Sequence, residues 1–309
     1  MYVETPIDAV EITNLLRCRG SRMFSSTPGV FFNYTLARDT GRLAECGGGH
    51  AVIVQRFQTN PRFRIYQIDV PPRLLIQIAQ ALAETRSYRP VRIENLLPSE
   101  VEELQRLDPT GVGVISEEAV LDCQALVDRP QEFYTKRAWE MVRSNLRTMT
   151  WHASIDRHLP TGDQREDYRR VIDLWKQLNA AKHFRLSITR DYRAIDSWFA
   201  DLRLLGYRGE NPSCLHILTH HIVDDTLAVE LVEKSLNYSS VPGGKPGTSD
   251  TNFYRVAQLC LTRGITHINL GTWDGGNAGL GKHKLMLTHG TPPILTGTFT
   301  TSFKDRRFA

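Results

Sequence analysis

A glycine-rich stretch at residues 241–252 is the first part of the chain whose residue types suggest a binding function. It reads VPGGKPGTSDTN, and Ser249, Asp250 or Thr251 can cap the helix predicted to follow. Its glycines let the backbone turn tightly, and a glycine-rich loop before a helix N-terminus binds anions because free N–H groups face them. We therefore predict a site for a pyrophosphate or a carboxylate, with a plain connecting loop as the alternative. The predicted cofactor-binding residues are Gly243, Gly244, Lys245, Gly247, Ser249 and Thr251.

A second glycine-rich stretch follows a predicted strand at residues 271–284 and reads GTWDGGNAGLGKHK. Its part from Gly276 to Lys282 has the spacing G-x-x-x-x-G-K of a phosphate-binding loop. In that motif the next residue is Ser or Thr, which holds magnesium, whereas this chain has His283. A phosphotransferase that binds ATP with magnesium is therefore kept only as an alternative.

The same stretch belongs to a longer pattern at residues 264–290, GITHINLGTWDGGNAGLGKHKLMLTHG. A glycine precedes a strand, a glycine-rich turn follows, and then come a Gly-Leu pair, a lysine and a further glycine. The residues in this pattern are Gly264, Gly271, Gly279, Leu280, Lys284 and Gly290. The pattern resembles the end of the GNAT-like Fem family of aminoacyl-tRNA-dependent transferases and the C-terminal domain of phosphatidylglycerol lysyltransferases. The resemblance covers residues 130–300, and His283 stands where those families have an aromatic residue.

The resemblance implies an α/β (α+β) chain of tandem GNAT-like domains, each a mixed, mostly antiparallel sheet flanked by helices. It also implies an acyl- or aminoacyltransferase with an activated acyl donor, either an acyl-CoA or an aminoacyl-tRNA. The acceptor is then an amine of a peptide, a lipid headgroup, a small molecule or a modified nucleobase. The acyl-CoA motif of GNAT enzymes, Arg/Gln-x-x-Gly-x-Gly/Ala, is not clearly present, so an aminoacyl-tRNA or another activated donor stays open.

In such a transfer the amine attacks the acyl carbonyl, and a positioned cation stabilises the oxyanion that forms. The resemblance implies this role for Lys284, and Asp274 could accept the proton of the amine or orient the amine. A solvated surface lysine and a turn-forming aspartate are the alternatives for these two residues. The residues predicted to bind the substrate are Trp273, Tyr254, Asn269 and His283, with core packing as the alternative for the first two.

Histidines near residue 220 look like metal ligands, but their spacing does not fit a metal site. His216 and His220 share one side of a predicted strand and His221 takes the other, so no tight ligand set results. The five cysteines occur singly, without a CxxC pair, which argues against a disulfide framework and a zinc cluster. We expect no metal.

The bulk composition indicates a globular chain whose charge permits a polyanionic partner but does not require one. Its 309 residues suggest two domains, and 41% hydrophobic residues are enough for two cores. A net charge of +4 permits tRNA or DNA as a partner. Lys136, Arg143 and Arg147 share one face of a predicted helix that is either solvated or contacts phosphates, so a non-catalytic nucleic-acid-binding module is an alternative function. No membrane span or signal peptide is recognisable, and we expect a cytoplasmic protein.

The periodicity of apolar residues predicts strands and helices in both halves of the chain. Strands are predicted at residues 30–36, 50–57, 63–70, 91–96, 215–223, 226–232, 265–270 and 294–299. Helices are predicted after Pro71, after a capping box of Ser99 with Glu102, and at residues 132–149, 164–181, 191–206 and 253–263, while residues 110–130 are interpreted as a connection. The helix–strand order at residues 71–96 resembles that at 251–271, which suggests duplication of one α/β unit. We expect an N-terminal domain at residues 1–130 and a C-terminal domain at 131–309 that carries the site.

Overall fold

The computed structural model describes residues 3–6, 40–55, 63–85, 90–154, 202–208, 211–223, 226–235, 246–273 and 278–302. The chain divides into two compact units. The first comprises Met1–Glu118, Thr272–Asp274 and Pro293–Ala309, and the second comprises Ala119–Gly271 and Gly275–Pro292. The domain division at residue 130 stays a proposal.

The described residues form strands and helices that alternate along much of the chain. The strands are β1 (Val3–Pro6), β2 (Thr40–Cys46), β3 (Gly49–Gln55), β4 (Phe63–Gln67), β5 (Val91–Leu96), β6 (Val112–Asp122), β7 (Thr150–Ser154), β8 (Leu202–Arg208), β9 (Asn211–Val223), β10 (Thr226–Ser235), β11 (His267–Trp273) and β12 (Ile294–Thr301). The helices are α1 (Pro72–Thr85), α2 (Pro98–Leu107), α3 (Cys123–Asp128), α4 (Pro130–Phe133), α5 (Lys136–Thr148), α6 (Thr248–Leu261) and α7 (Ala278–Leu287).

The strands form two sheets. The larger has the order β1-β2-β3-β4-β5-β12-β6-β11, and the smaller has the order β10-β9-β8-β7. In the larger sheet β4 and β5 are parallel, while the pairs from β1 to β4 and the pairs of β12 with β5 and β6 are antiparallel. The smaller sheet is antiparallel throughout. The mixed, mostly antiparallel sheets flanked by helices confirm the predicted fold class.

In the first unit, α1 makes the crossover that the parallel pair β4–β5 requires. Pro72 occupies the first turn, where its missing N–H is not needed, and Leu75, Ile78 and Leu82 follow at helical spacing. These three side chains are buried in one core with Ile65 of β4 and Ile93 of β5. The helix predicted after Pro71 is therefore confirmed.

In the second unit, α6 lies at the centre of the core. Its buried face includes Phe253, Val256 and Cys260, which pack in one cluster with Leu126 of α3 and Val142 of α5. α6 begins at Thr248, inside the glycine-rich stretch at residues 241–252, and so it starts earlier than the predicted residue 253. Its N-terminus is thereby held on a rigid base of packed helices.

Three predictions about local structure are wrong. Residues 110–130 are not a connection but form β6 and α3. β6 was not predicted because its first half is largely exposed and shows no alternation of buried apolar residues. Residues 202–206 belong to β8 rather than to a helix, because pairing with β7 and β9 outweighs their helical spacing. α2 begins at Pro98, and Glu100 rather than Glu102 accepts the hydrogen bond of the capping position, from Leu97 N at 2.7 Å. The strand predicted at 30–36 and the helix at 164–181 lie outside the described residues.

The order of elements repeats along the chain. β4–α1–β5–α2–β6 and β10–α6–β11–α7–β12 both run strand, helix, strand, helix, strand. This is the order suggested by the similarity of residues 71–96 to 251–271.

Candidate active site

The glycine-rich stretch ends in a fixed turn at the N-terminus of α6. Gly247 has a φ of 74°, in the left-handed region, and a Cβ added there would lie 3.0 Å from Cβ of Met141. Both facts require glycine at this position. The amide of Thr251 donates to the carbonyl of Gly247 at 2.9 Å, and the Thr251 hydroxyl donates to the same oxygen at 2.6 Å.

Asn145 of α5 holds this turn from the other side. Its side-chain amide donates to the carbonyl of Pro246 at 2.8 Å and to Oγ1 of Thr251 at 3.1 Å. Asn145 and Thr251 are fully buried, so these bonds satisfy polar groups that water cannot reach. The single hydroxyl proton of Thr251 is thus already committed to Gly247, although the hydroxyl oxygen also accepts from Asn145.

The other predicted cofactor-binding residues are only partly described. Ser249 is half-buried in the first turn of α6. Gly243, Gly244 and Lys245 lie outside the described residues. The binding role of the whole set stays a prediction.

The end of β11 is the second fixed feature of the site. Gly271 has a φ of 77°, which favours glycine, and its amide donates to Oδ1 of Asn269 at 2.7 Å. The ammonium of Lys284, on α7, donates to the carbonyl of Gly271 at 3.3 Å. Two of the predicted site residues, the buried Asn269 and the half-buried Lys284, therefore meet at one residue of the strand.

A carboxylate and an imidazole face each other beside this lysine. Oδ1 of Asp250, in the first turn of α6, lies 3.6 Å from Nδ1 of His283 on α7. Burial raises the pKa of Asp250 above its ordinary value, and the charge of His283 acts to lower it. The imidazole ring also packs against Phe253, with ring centroids 5.3 Å apart.

Aromatic side chains contact the N-terminal half of α6. Tyr134 donates its hydroxyl proton to the backbone carbonyl of Asp250 at 3.0 Å, and burial raises the pKa of that phenol well above its usual value. Tyr254 packs against Trp139 at 5.2 Å and is 8% exposed, so it lies in the core rather than on an open surface. Trp273 ends β11 without a described side chain, and Asp274 lies outside the described residues.

The second unit thus brings Lys284 and Asn269 together at Gly271 and places His283 against Asp250 and Phe253. Two further residues, Asp250 and Asn145, were not marked as functional by the sequence. The sequence indicates Asp250 only as a possible helix cap and does not point to Asn145. A polar Asn beside the apolar stripe of a helix is a signal that could have pointed to Asn145, since such a residue needs partners when it is buried.

The described residues contain no group of three or more His, Cys, Asp and Glu side chains arranged to hold a metal ion. Of the helices that the structure describes, none has both the length and the apolar character needed to cross a membrane.

No family model matches the chain, and no curated protein matches it in sequence. Several solved structures match nearly its whole length. L-PGS from Bacillus licheniformis has a TM-score of 0.63 at 14% identity, covering 97% of this chain and 92% of that one. FemX has a TM-score of 0.60 at 11% identity, covering 98% of both chains. A tandem GNAT protein from the clavulanic acid biosynthesis pathway has a TM-score of 0.50 at 13% identity, covering 98% of both chains.

These likenesses define the class of fold. The chain has a tandem GNAT-like fold, and its resemblance to the Fem and lysylphosphatidylglycerol synthetase proteins is confirmed at the level of the structure.

Proposed function

We propose that this chain transfers an acyl or aminoacyl group from an activated donor to an amine. The observation that carries the proposal is the position of Lys284, whose ammonium is held at the carbonyl end of β11 by Gly271 at 3.3 Å. A cation fixed on a strand end can stabilise an oxyanion without having to reorganise during the reaction. The likeness of the fold to proteins named as FemX and as a tandem GNAT protein supports the same class of reaction.

The proposed reaction forms one bond and breaks one. The amine nitrogen bonds to the acyl carbon, and the bond from that carbon to the oxygen or sulfur of the donor breaks. The amine loses a proton, and the leaving oxygen or sulfur gains one. Lys284 stabilises the oxyanion between these steps, and Asp274, which follows β11 directly, orients the amine or accepts its proton.

The donor is proposed to bind at the glycine-rich stretch before α6. The turn at Gly247 presents the N-terminus of a helix, where backbone N–H groups favour a negatively charged group. An acyl-CoA and an aminoacyl-tRNA both carry phosphates, so either fits this chemistry. Trp273, Asn269 and His283 are proposed to contact the amine acceptor, which is a peptide, a small molecule or a modified nucleobase. Tyr254 supports the site from the core instead.

The exposed face of α5 favours a second candidate, a non-catalytic nucleic-acid-binding module. Lys136, Arg143 and Arg147 are all exposed on one side of α5, over a length of about 16 Å at the rise of a helix. Within the described ranges none of the three forms an ion pair, although Glu140 lies on the same side. By contrast, Arg64 and Arg129 are paired with carboxylates.

The phosphotransferase alternative has less support. α7 begins at Ala278, so Gly281 and Lys282 lie inside a helix rather than in the loop that a phosphate-binding motif forms before its helix.

The test is amide formation by the purified protein. Radiolabelled acetyl-CoA and total tRNA charged with radiolabelled amino acids serve as donors, and ethanolamine, glucosamine and a lysine-containing peptide serve as acceptors. An amide product supports the proposal and identifies the donor class. Binding of tRNA without any amide product favours the nucleic-acid-binding module, and a rise in Tm with ATP and magnesium alone favours the phosphotransferase.

A further inference from the structure

The facing pair Asp250 and His283 joins two helices at the candidate site. Asp250 lies in the first turn of α6 and His283 in α7, with Oδ1 and Nδ1 3.6 Å apart and side chains 20% and 25% exposed. Lys284 follows His283 directly and contacts Gly271. One member of the pair, His283, therefore lies on the same helix, α7, as the cation that the proposed transfer requires.

The two nitrogens of His283 have different surroundings. Nδ1 faces the carboxylate of Asp250, whereas Nε2 is buried and has no hydrogen-bond partner among the residues that the structure describes. A carboxylate beside one nitrogen favours the tautomer with the proton there, which leaves the other nitrogen as an acceptor. A buried imidazole nitrogen without a partner is unfavourable, so its presence calls for a functional reason.

His283 is also the residue at which this chain departs from the pattern it resembles. Where that pattern has an aromatic side chain, the imidazole keeps a flat ring packed on Phe253, with centroids 5.3 Å apart. The change preserves the packing of a ring and adds a group that can accept a proton near neutral pH.

The charges around the pair are few. Among the described groups, His283 is the only charge that bears on the pKa of Asp250, which burial raises and His283 lowers. Tyr134, below the pair, directs its hydroxyl to the backbone carbonyl of Asp250 and not to the carboxylate. The remaining titratable or charged side chains on α6 and α7 near the pair are Tyr254, Arg255, Lys282 and Lys284.

We propose that Asp250 and His283 are the acid–base pair of this site, with His283 as the catalytic base and Asp250 as its positioning residue. The inference rests on the proposed acyl transfer. As the amine nitrogen bonds to the acyl carbon, Nε2 of His283 takes the proton that the nitrogen loses, and Asp274 then only orients the amine. The bond from the acyl carbon to the donor oxygen or sulfur then breaks, and the imidazole returns that proton to the leaving atom, so no other reactant is needed.

The test compares His283→Phe and Asp250→Asn with wild type over a range of pH, using the donor and acceptor that give an amide product. His283→Phe keeps a flat ring on Phe253, and it should lower kcat on the order of 10²-fold and remove the acidic limb of the pH profile, while KM for the donor changes little. Asp250→Asn should shift the acidic limb to lower pH. His289→Phe is the matched control, since His289 is an exposed histidine of the turn after α7. A folded His283→Phe protein with the wild-type rate and pH profile overturns the proposal.

A second measurement separates this proposal from the proposed function. In protein with isotope-labelled histidine, the NMR shifts of the two ring nitrogens report the tautomer of His283, and Asp250→Asn should reduce the share protonated at Nδ1 because the facing carboxylate is lost. An unchanged tautomer ratio contradicts the pair whether or not any amide is formed. If wild type forms no amide from any donor, the transfer reaction fails and the catalytic role fails with it, whereas a changed tautomer ratio still establishes the pair.

Discussion

The side-chain amide of Asn145 donates a 3.1 Å hydrogen bond to Oγ1 of Thr251, a residue 106 positions later in the chain. The same amide group donates to the carbonyl of Pro246 at 2.8 Å. One buried side chain of α5 therefore fixes both the end of the glycine-rich stretch and the first turn of α6. These bonds attach the N-terminus of α6 to α5, and they connect the packing of the core with the candidate site.

Asn145→Ala should lower the free energy of unfolding by about 1–3 kcal/mol. The substitution leaves the carbonyl of Pro246 and the buried hydroxyl oxygen of Thr251 without their shared donor, and an unsatisfied buried group is strongly unfavourable. Urea denaturation measures the effect. Arg143→Ala, at an exposed position of the same helix, is the control and should change stability by less than about 0.5 kcal/mol. Equal, small effects of the two substitutions would contradict the role of Asn145.

Gly247→Ala and Gly264→Ala separate backbone strain from crowding. Both glycines have positive φ, at 74° and 72°, but a Cβ at Gly264 would meet nothing within 4 Å whereas one at Gly247 would meet Met141 at 3.0 Å. Gly264→Ala should lower the free energy of unfolding by about 1 kcal/mol, and Gly247→Ala by roughly 2–3 kcal/mol. Chemical denaturation of both variants checks the difference, and a Gly247→Ala protein as stable as Gly264→Ala would show that the turn can move away from Met141.

Compared with wild type, the Asp250→Asn protein should gain more stability at neutral pH than at acidic pH. Because burial raises the pKa of Asp250 in the folded state, its contribution to stability is fully present below the pKa of the unfolded chain and is lost as pH rises through the folded pKa. The substitution removes this loss. The measurement is the free energy of unfolding of both proteins between pH 4 and pH 8, with Glu140→Gln at an exposed position of α5 as the control. A difference between Asp250→Asn and wild type that does not change with pH would contradict the prediction.

Replacing Lys136, Arg143 and Arg147 together with glutamine tests the exposed face of α5. If these cations contact phosphates, the variant should bind tRNA more weakly, and the slope of log K against log salt concentration should become shallower by roughly 2–3. Fluorescence anisotropy with labelled tRNA at several salt concentrations gives the slope. Arg73→Gln with Arg106→Gln, at exposed positions of the first unit, is the control. If the variant keeps the wild-type slope, the face is only solvated.

Much of the sheet could be predicted because its strands are short, apolar and bounded by turn residues. β5 has the predicted bounds, and β3, β4, β9, β10, β11 and β12 overlap their predicted positions. β8 could not be predicted from local spacing, because the spacing of Leu202, Leu204 and Leu205 is compatible with a helix. The strand is stabilised by its pairing with β7 and β9, which local spacing does not show.

The candidate site, like the sheets, could be predicted only in part from the sequence. Lys284 could be predicted as a site residue because the glycine pattern around it is local, and Gly264, Gly271 and Gly290 all adopt the positive φ that explains glycine there. Its role, like that of Asn269, stays a prediction. Asp250 and His283 lie 33 positions apart in the chain and on different helices. Their proximity depends on how α6 and α7 pack, so the sequence alone does not show it. Asn145 acts through an even longer separation, which no local pattern encodes.

The most direct test of the proposed transfer is the rate of amide formation by Lys284→Ala beside Lys282→Ala. Lys282 is an exposed lysine on the same helix, so the pair controls for lost charge and for helix propensity. We expect kcat to fall by roughly 10²–10³-fold in Lys284→Ala and to stay at the wild-type value in Lys282→Ala, with both proteins equally stable. Wild-type turnover by a folded Lys284→Ala protein would contradict the role of this lysine and, with it, the proposed site.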